Sequence, residues 1–119
     1  MSGTDATTAF LKIPLFRKIP KVEMYKLVEQ LPTEEYTAGM YLFHAGEEGD
    51  SLYVVISGKL EIVLAGDTED EMLLRVCGPG EYVGEMSLIM PQGRRTASVR
   101  ASENSRTLRM SRDKFNEIL

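Results

Sequence analysis

Glycine sets the cadence of this chain. It recurs at positions 39, 46, 49, 58, 66, 78, 80, 84 and 93. Between those glycines the apolar residues change face every second position. Leu52, Val54 and Ile56 alternate, then Leu60, Ile62 and Leu64, with Lys59 and Glu61 turned the other way. Two is the period of a pleated strand. Glycine is the residue that accepts the unusual dihedrals of tight turns. Short strands broken by such turns at roughly 8–12-residue intervals predict an antiparallel barrel or sandwich. Strands are expected over Met40–Phe43, on both sides of Gly58 within Ser51–Leu64, over Leu73–Cys77 and Arg95–Ala101, and around Leu108 and Met110.

The flanks read differently. Residues 1–8 are polar and are expected to be a loose lead-in. Residues 9–31 are helical in pattern but broken by Pro14 and Pro20, each of which removes a donor and disfavours helix before it. Lys21–Leu31 carries a wide apolar stripe of Val22, Met24, Tyr25, Leu27, Val28 and Leu31, and Pro32 ends it. At the other end Ser111 is a helix N-cap with Asp113 in the first turn. Phe115, Ile118 and Leu119 then begin an apolar face, which predicts a C-terminal helix cut short in a piece of a longer protein. Residues 9–119 form one domain on this reading, with helices over 9–31, the β region over 32–110 and the helix start over 111–119. Asp67, Glu69, Asp70 and Glu71 mark an exposed hairpin tip over Ala65–Glu71.

Composition removes several classes of function. At 119 residues and 13.3 kDa the chain is one domain. Fourteen basic against eighteen acidic residues leave −4 at pH 7, with pI near 5.0. That balance is a poor match to phosphate-neutralising nucleic-acid contact. No apolar run approaches the roughly 20 residues that span a bilayer. A single cysteine, Cys77, excludes an internal disulfide and fits a reducing, cytoplasmic setting. A single histidine, His44, leaves no metal cluster for a zinc site or a metal-dependent jelly-roll enzyme.

One segment carries chemistry. Gly84 precedes Glu85–Met90, a stretch long enough for about one and a half helical turns. The opening amides of such a turn lack intrahelical acceptors and favour an anion. Arg95 follows with a planar fork suited to phosphate oxygens, and Thr96 adds a hydroxyl. The Glu85 carboxylate would repel a phosphate, and makes sense as the acceptor for a sugar hydroxyl. Together these predict a pocket for a sugar phosphate of low charge.

That arrangement resembles the phosphate-binding cassette of the cyclic nucleotide-binding domain family. Gly84-Glu85-Met86-Ser87-Leu88 and Arg95-Thr96-Ala97-Ser98-Val99 carry the resemblance, supported by Gly78-Pro79-Gly80-Glu81-Tyr82, Gly46-Glu47-Glu48-Gly49-Asp50 and Ile56-Ser57-Gly58. The run Gly93–Val99 and the ending Lys114–Leu119 are also similar to those of cyclic-nucleotide-gated and hyperpolarisation-activated channels. The resemblance implies a mainly β fold: an eight-stranded, jelly-roll-like antiparallel β-roll with short N-terminal helices, a cassette helix and the start of a C-terminal helix. It implies ligand contacts from Gly84, Glu85, Met86, Ser87, Arg95, Thr96 and Ala97, with Ile62 and Cys77 on the base side. Arg95 would pair with the cyclic phosphate, the Thr96 hydroxyl and the amides near Met86 and Ser87 would complete the cradle, and Glu85 would accept the ribose 2′-hydroxyl. Threonine at position 96 is associated in the family with tolerance of cyclic GMP.

The function so implied is a non-enzymatic sensor of cyclic AMP, or of cyclic GMP, with no cofactor. It would control an effector elsewhere in a longer protein such as a channel or transporter. The alternative is the sensor half of a catabolite-activator-type transcription factor. Its expected partners are the nucleotide and the effector, with no direct nucleic-acid contact, no membrane insertion and room for a homo-oligomer. In the family a further helix closes over the base as a lid. Plainer roles are expected for other residues: Met86 and Met90 in the core, His44 on a strand, Arg94 in solvent and Cys77 as a small packing group. For Arg95 the plain alternative is a surface ion pair with Glu85.

Overall fold

The computed structural model describes residues 3–90 and 93–117. Ile118, Leu119, Pro91, Gln92 and the first two residues of the expected lead-in lie outside that range.

The described chain runs α1 (Gly3–Leu11), a 3-10 turn (Pro14–Phe16), α2 (Lys21–Val28), β1 (Thr33–Tyr36), β2 (Tyr41–Phe43), β3 (Ser51–Ser57), β4 (Leu60–Leu64), β5 (Met72–Cys77), β6 (Tyr82–Val83), a second 3-10 turn (Glu85–Leu88), β7 (Ser98–Ala101), β8 (Ser105–Ser111) and α3 (Arg112–Asn116). Eight strands form two four-stranded sheets, ordered β1-β8-β3-β6 and β2-β7-β4-β5. Every pairing is antiparallel. The mainly β fold with its eight-stranded roll is therefore as the sequence implied.

Alternation on β3 sorts two cores. Leu52 and Val54 face the helices with Phe10, Ile13, Phe16, Met24, Leu108, Met110 and Phe115. Tyr53 and Val55 face the roll with Leu60, Cys77, Val83, Val99 and Ala101. Because β3 is covered on both sides, its first five residues are all buried. Phe16 binds the helical core together, with its ring 6.1 Å from Phe10 and 5.6 Å from Phe115.

Several expectations change, among them His44, which lies just past the end of β2 and not on a strand. Residues 3–8 are not loose: α1 begins at Gly3 and continues to Leu11. Ala6, Ala9 and Phe10 are spaced to bury one helical face, and that burial outweighs the polar composition. The cassette helix is a single 3-10 turn. Met86 and Met90 are not core residues, being 53% and 49% exposed. They stand on a short turn at the roll's surface, where too few residues are helical to bury both. Along β4 the alternating residues differ in burial, with Leu60 fully buried and Leu64 37% exposed. Ser111 does cap α3, its hydroxyl accepting from the Lys114 amide at 3.1 Å. Among the described residues no helix is long and apolar enough to cross a membrane.

Candidate functional site

A cavity of about 370 Å³ opens where the 3-10 turn faces β4 and the segment leading into β7. One wall is Gly84, Glu85, Met86, Ser87 and Met90. The opposite wall is Arg94, Arg95, Thr96 and Ala97, and Phe43, Ile62, Val83 and Val99 give the floor its apolar character. Arg75 reaches the lining from β5.

Arg95 is the organising residue. Its backbone is fixed by two bonds to the loop before β3: its amide donates to Glu47 O at 2.7 Å, and its carbonyl accepts from the Gly46 amide at 2.8 Å. Its guanidinium lies 3.9 Å over the Phe43 ring, and stacking on an aromatic face favours a planar cation. Nη2 donates to Ser51 O at 2.9 Å, and Nη1 reaches Gly84 O at 3.5 Å. The residue is only 8% exposed. Its Nε is buried with no hydrogen-bond partner. No carboxylate among the described residues lies within ion-pair distance of it, so the surface ion pair with Glu85 is excluded. Burial pulls this guanidinium below its ordinary pKa, outweighing the opposing pull of Asp50 and Glu47, which lie beyond ion-pair distance.

Gly84 makes that geometry possible. Its φ is +84°, in the left-handed region, and a Cβ there would stand 2.5 Å from Arg95 Nη1 and 2.9 Å from Ser51 O. Gly49 closes the other side, where a Cβ would collide with the Arg95 guanidinium and Ser87 Oγ. The turn between them spends its Ser87 amide on Gly84 O at 3.1 Å. This leaves the amides of Glu85 and Met86, at the head of the turn, as the ones without an intrahelical acceptor.

The structure brings Gly84, Glu85, Met86, Ser87, Arg95, Thr96, Ala97 and Ile62 to this cavity. Cys77 is the exception. It is fully buried in the roll core, paired across from Leu60 and absent from the lining. Cys77 shares a face of β5 with Arg75, which pairs with Ile62, but lies two residues further along, where that face is packed against the roll core and is not hollow. Burial raises its thiol pKa, as suits an inert packing group. Arg94 is exposed, bonds Gly46 O at 2.8 Å and still reaches the cavity rim. Phe43, Arg75 and Ser51 were not singled out from the sequence, and Gly49 was named only within the Gly46–Asp50 run, with no role at the site. For Arg75 a signal existed: a lone cation in the apolar run Leu73-Leu74-Arg75-Val76-Cys77. Among the described residues no three His, Cys, Asp or Glu side chains converge on a metal-sized site.

A desolvated cation thus faces a glycine-led turn across a small hollow, and residues 33–119 match the sequence profile of the cyclic nucleotide-binding domain. This chain belongs to that family. Relatives of this cyclic nucleotide-binding domain include human cGMP-dependent protein kinase 2, 30% identical over 109 residues, covering 90% of this chain and 14% of the kinase. The CRP-like cAMP-activated global transcriptional regulator of Mycobacterium tuberculosis is 34% identical over 99 residues, covering 83% of this chain and 44% of the regulator. The chain thus spans less than half the length of the regulator and about a seventh of the kinase. Among solved structures, a cyclic nucleotide-binding-like protein from Brucella abortus superposes with a TM-score of 0.86 at 28% identity, covering 96% of this chain and 97% of that one.

Proposed function

We propose that this domain is a reversible sensor of a purine cyclic nucleotide, cyclic AMP or cyclic GMP, and that occupancy controls an effector outside the domain. The observation that carries it is Arg95: buried, unpaired, with an orphaned Nε, beside the Gly84 turn. A singly charged cyclic phosphate supplies the missing counter-charge and takes the amides at the head of the turn. Glu85 is half-buried at the cavity, with no ion pair among the described residues, and is assigned the ribose 2′-hydroxyl. Thr96 adds its hydroxyl on the phosphate side, and Ile62 with Val99 supplies apolar surface for the purine. Binding breaks no bond, so the site needs neither nucleophile nor cofactor. The effector is assigned to a channel, transporter or other multidomain protein of the reducing cytoplasm. The M. tuberculosis regulator keeps the transcription-factor reading as the alternative.

A specific observation favours cyclic GMP. Arg75 lines the cavity from the strand beside Ile62, where its Nη2 donates to Tyr82 O at 3.2 Å and its side chain also reaches the Cys77 thiol. The other N–H groups of its fork match the O6 and N7 acceptors of guanine, whereas adenine presents a donor at position 6. Calorimetric titration with cyclic AMP, cyclic GMP and linear 5′-AMP tests the assignment. Both cyclic nucleotides are expected to bind, and 5′-AMP at least about tenfold more weakly, because its second negative charge meets Glu85. Arg75→Met is expected to weaken cyclic GMP binding by about 1–3 kcal/mol and to change cyclic AMP little. Absence of binding by either cyclic nucleotide would overturn the sensor reading.

A further inference from the structure

Among the described residues the large apolar side chains left in solvent fall in three stretches, with Met40 standing alone. Met86, Ile89 and Met90 belong to the cassette. The other two stretches lie outside the cavity. Leu15, Val22 and Tyr25 project from the N-terminal helical region, 37%, 65% and 41% exposed. Leu64, Met72, Leu73, Leu74 and Val76 project from the β4–β5 hairpin, 37–57% exposed. Met72 stands opposite Leu64 at the tip end of the ladder, and the apolar run continues along β5.

β5 is an outer strand of its sheet and pairs only with β4 among the described residues. A free strand edge is a template for another chain, and proteins blunt it with charge, brevity or a covering element. The other outer strands are blunted. β1 carries Glu34 and Glu35, β2 has three residues and β6 has two. β5 has six residues and one charge, Arg75, whose guanidinium is turned to Tyr82 O at the cavity. What remains for this edge is a cover. The ladder to β4 skips Leu74, and such an irregularity disfavours regular pairing with a further strand, so the cover it suits is a helix.

Charge says which helix. Residues 12–26 carry Lys12, Arg17, Lys18, Lys21 and Lys26 against Glu23 alone, in a chain whose net charge is −4. All five cations are exposed, and none is in an ion pair among the described residues. Val22 and Tyr25 stand one turn apart on α2, with Lys21 and Lys26 beside them. At the hairpin the sign is reversed. Arg100 takes Asp67 and Glu71, while Glu69 and Asp70 are exposed with no ion pair among the described residues. Each surface joins apolar side chains to unneutralised charge, and the two charges are opposite. Both are open within one molecule, so they satisfy each other only between molecules. We infer that the β4–β5 hairpin of one copy docks on the N-terminal helical face of a second copy, with α2 covering the β5 edge and Lys18 and Lys21 meeting Glu69 and Asp70. Because the two surfaces differ, each copy brings one of each. The nucleotide pocket takes no part in this contact.

The test is analytical ultracentrifugation of the full 119-residue chain over a concentration series, in about 0.05 M and about 0.5 M NaCl. Wild type is expected to self-associate, and at least about threefold more weakly in the higher salt, because exposed charges are screened. K18E/K21E spoils the helical face and E69K/D70K the hairpin. All four positions are exposed, and both variants are expected to melt as wild type. Each alone is expected to associate at least about tenfold more weakly than wild type. An equimolar mixture of the two is expected to recover association, because the intact hairpin of the first meets the intact helical face of the second. Leu74→Ser, which leaves every charge in place, is expected to weaken association as well. Wild type that stays monomeric at every concentration overturns the inference, including the case in which the basic stretch carries it onto phosphatidylserine vesicles instead. So does association that neither double variant weakens, or a loss that mixing fails to relieve. If a double variant does not fold, the salt series and Leu74→Ser decide: association unmoved by both contradicts the proposal.

Discussion

Single positions carry most of the argument for this pocket. Gly84 at φ +84° has Arg95 Nη1 and Ser51 O where a Cβ would go. Gly84→Ala is therefore expected to lower stability by roughly 1–3 kcal/mol through backbone strain alone. It should also displace the Arg95 fork and weaken nucleotide binding. Urea denaturation and calorimetry on the same variant check both; unchanged stability would show that the turn relaxes freely. Gly84, Glu85, Arg95 and Thr96 were legible in the sequence because turn and cation lie within a dozen positions of each other. Phe43, Gly49 and Ser51 were not, because they meet Arg95 only through sheet pairing across more than forty residues. Cys77 was misplaced because strand periodicity fixes which side chains share a face, not which end of that face is hollow.

Among the elements, the hairpin from β4 to β5 stands on ionic contacts. Its tip carries two non-glycine residues at positive φ, Ala65 at 50° and Asp67 at 63°. Arg100 of β7 reaches across to hold it, with Nη2 donating to Glu71 Oε2 at 2.9 Å and Nε to Glu61 Oε1 at 3.2 Å. Tyr41 donates to Asp67 Oδ2 at 2.6 Å. The acidic tip read from the sequence was correct in place, but its counter-charge lies 29 residues further on, where local charge counting does not find it. The Arg100 hydrogen bonds hold the Glu71 carboxyl down, from 4.5 to about 2. A carboxylate depressed on folding contributes stability that is complete above about pH 4.5 and lost as pH falls through about 2. Thermal melts of wild type should therefore fall across that acid window. Glu71→Gln should melt lower at pH 7 and show a flatter acid limb; parallel curves for the two proteins would remove the Arg100 contact from the ledger.

At the scale of the whole molecule, β3 divides two cores, one against the helices and one inside the roll. The strand alternation that predicts a roll is a local property, so the eight-stranded fold was readable. The extent of α1 was not, because its polar residues are held helical by burial of Ala6, Ala9 and Phe10 against the rest of the protein. Phe16 touches both Phe10 and Phe115 and so links the N-terminal helices to α3. Phe16→Ala is expected to cost about 3–5 kcal/mol in urea denaturation with an unchanged m-value. A loss below about 1 kcal/mol would mean that the helices dock without it.

In the proposed complex the ring phosphate is held by the buried Arg95 guanidinium, which has no carboxylate within ion-pair distance among the described residues. That contact is measured most directly by calorimetry of Arg95→Lys beside wild type with the tighter-binding cyclic nucleotide. Lysine keeps the charge but not the fork, and truncating a buried charge pair costs roughly 2–5 kcal/mol. The lysine variant, folded as wild type, is expected to lose at least about tenfold in affinity. Equal affinity of the two proteins would contradict it.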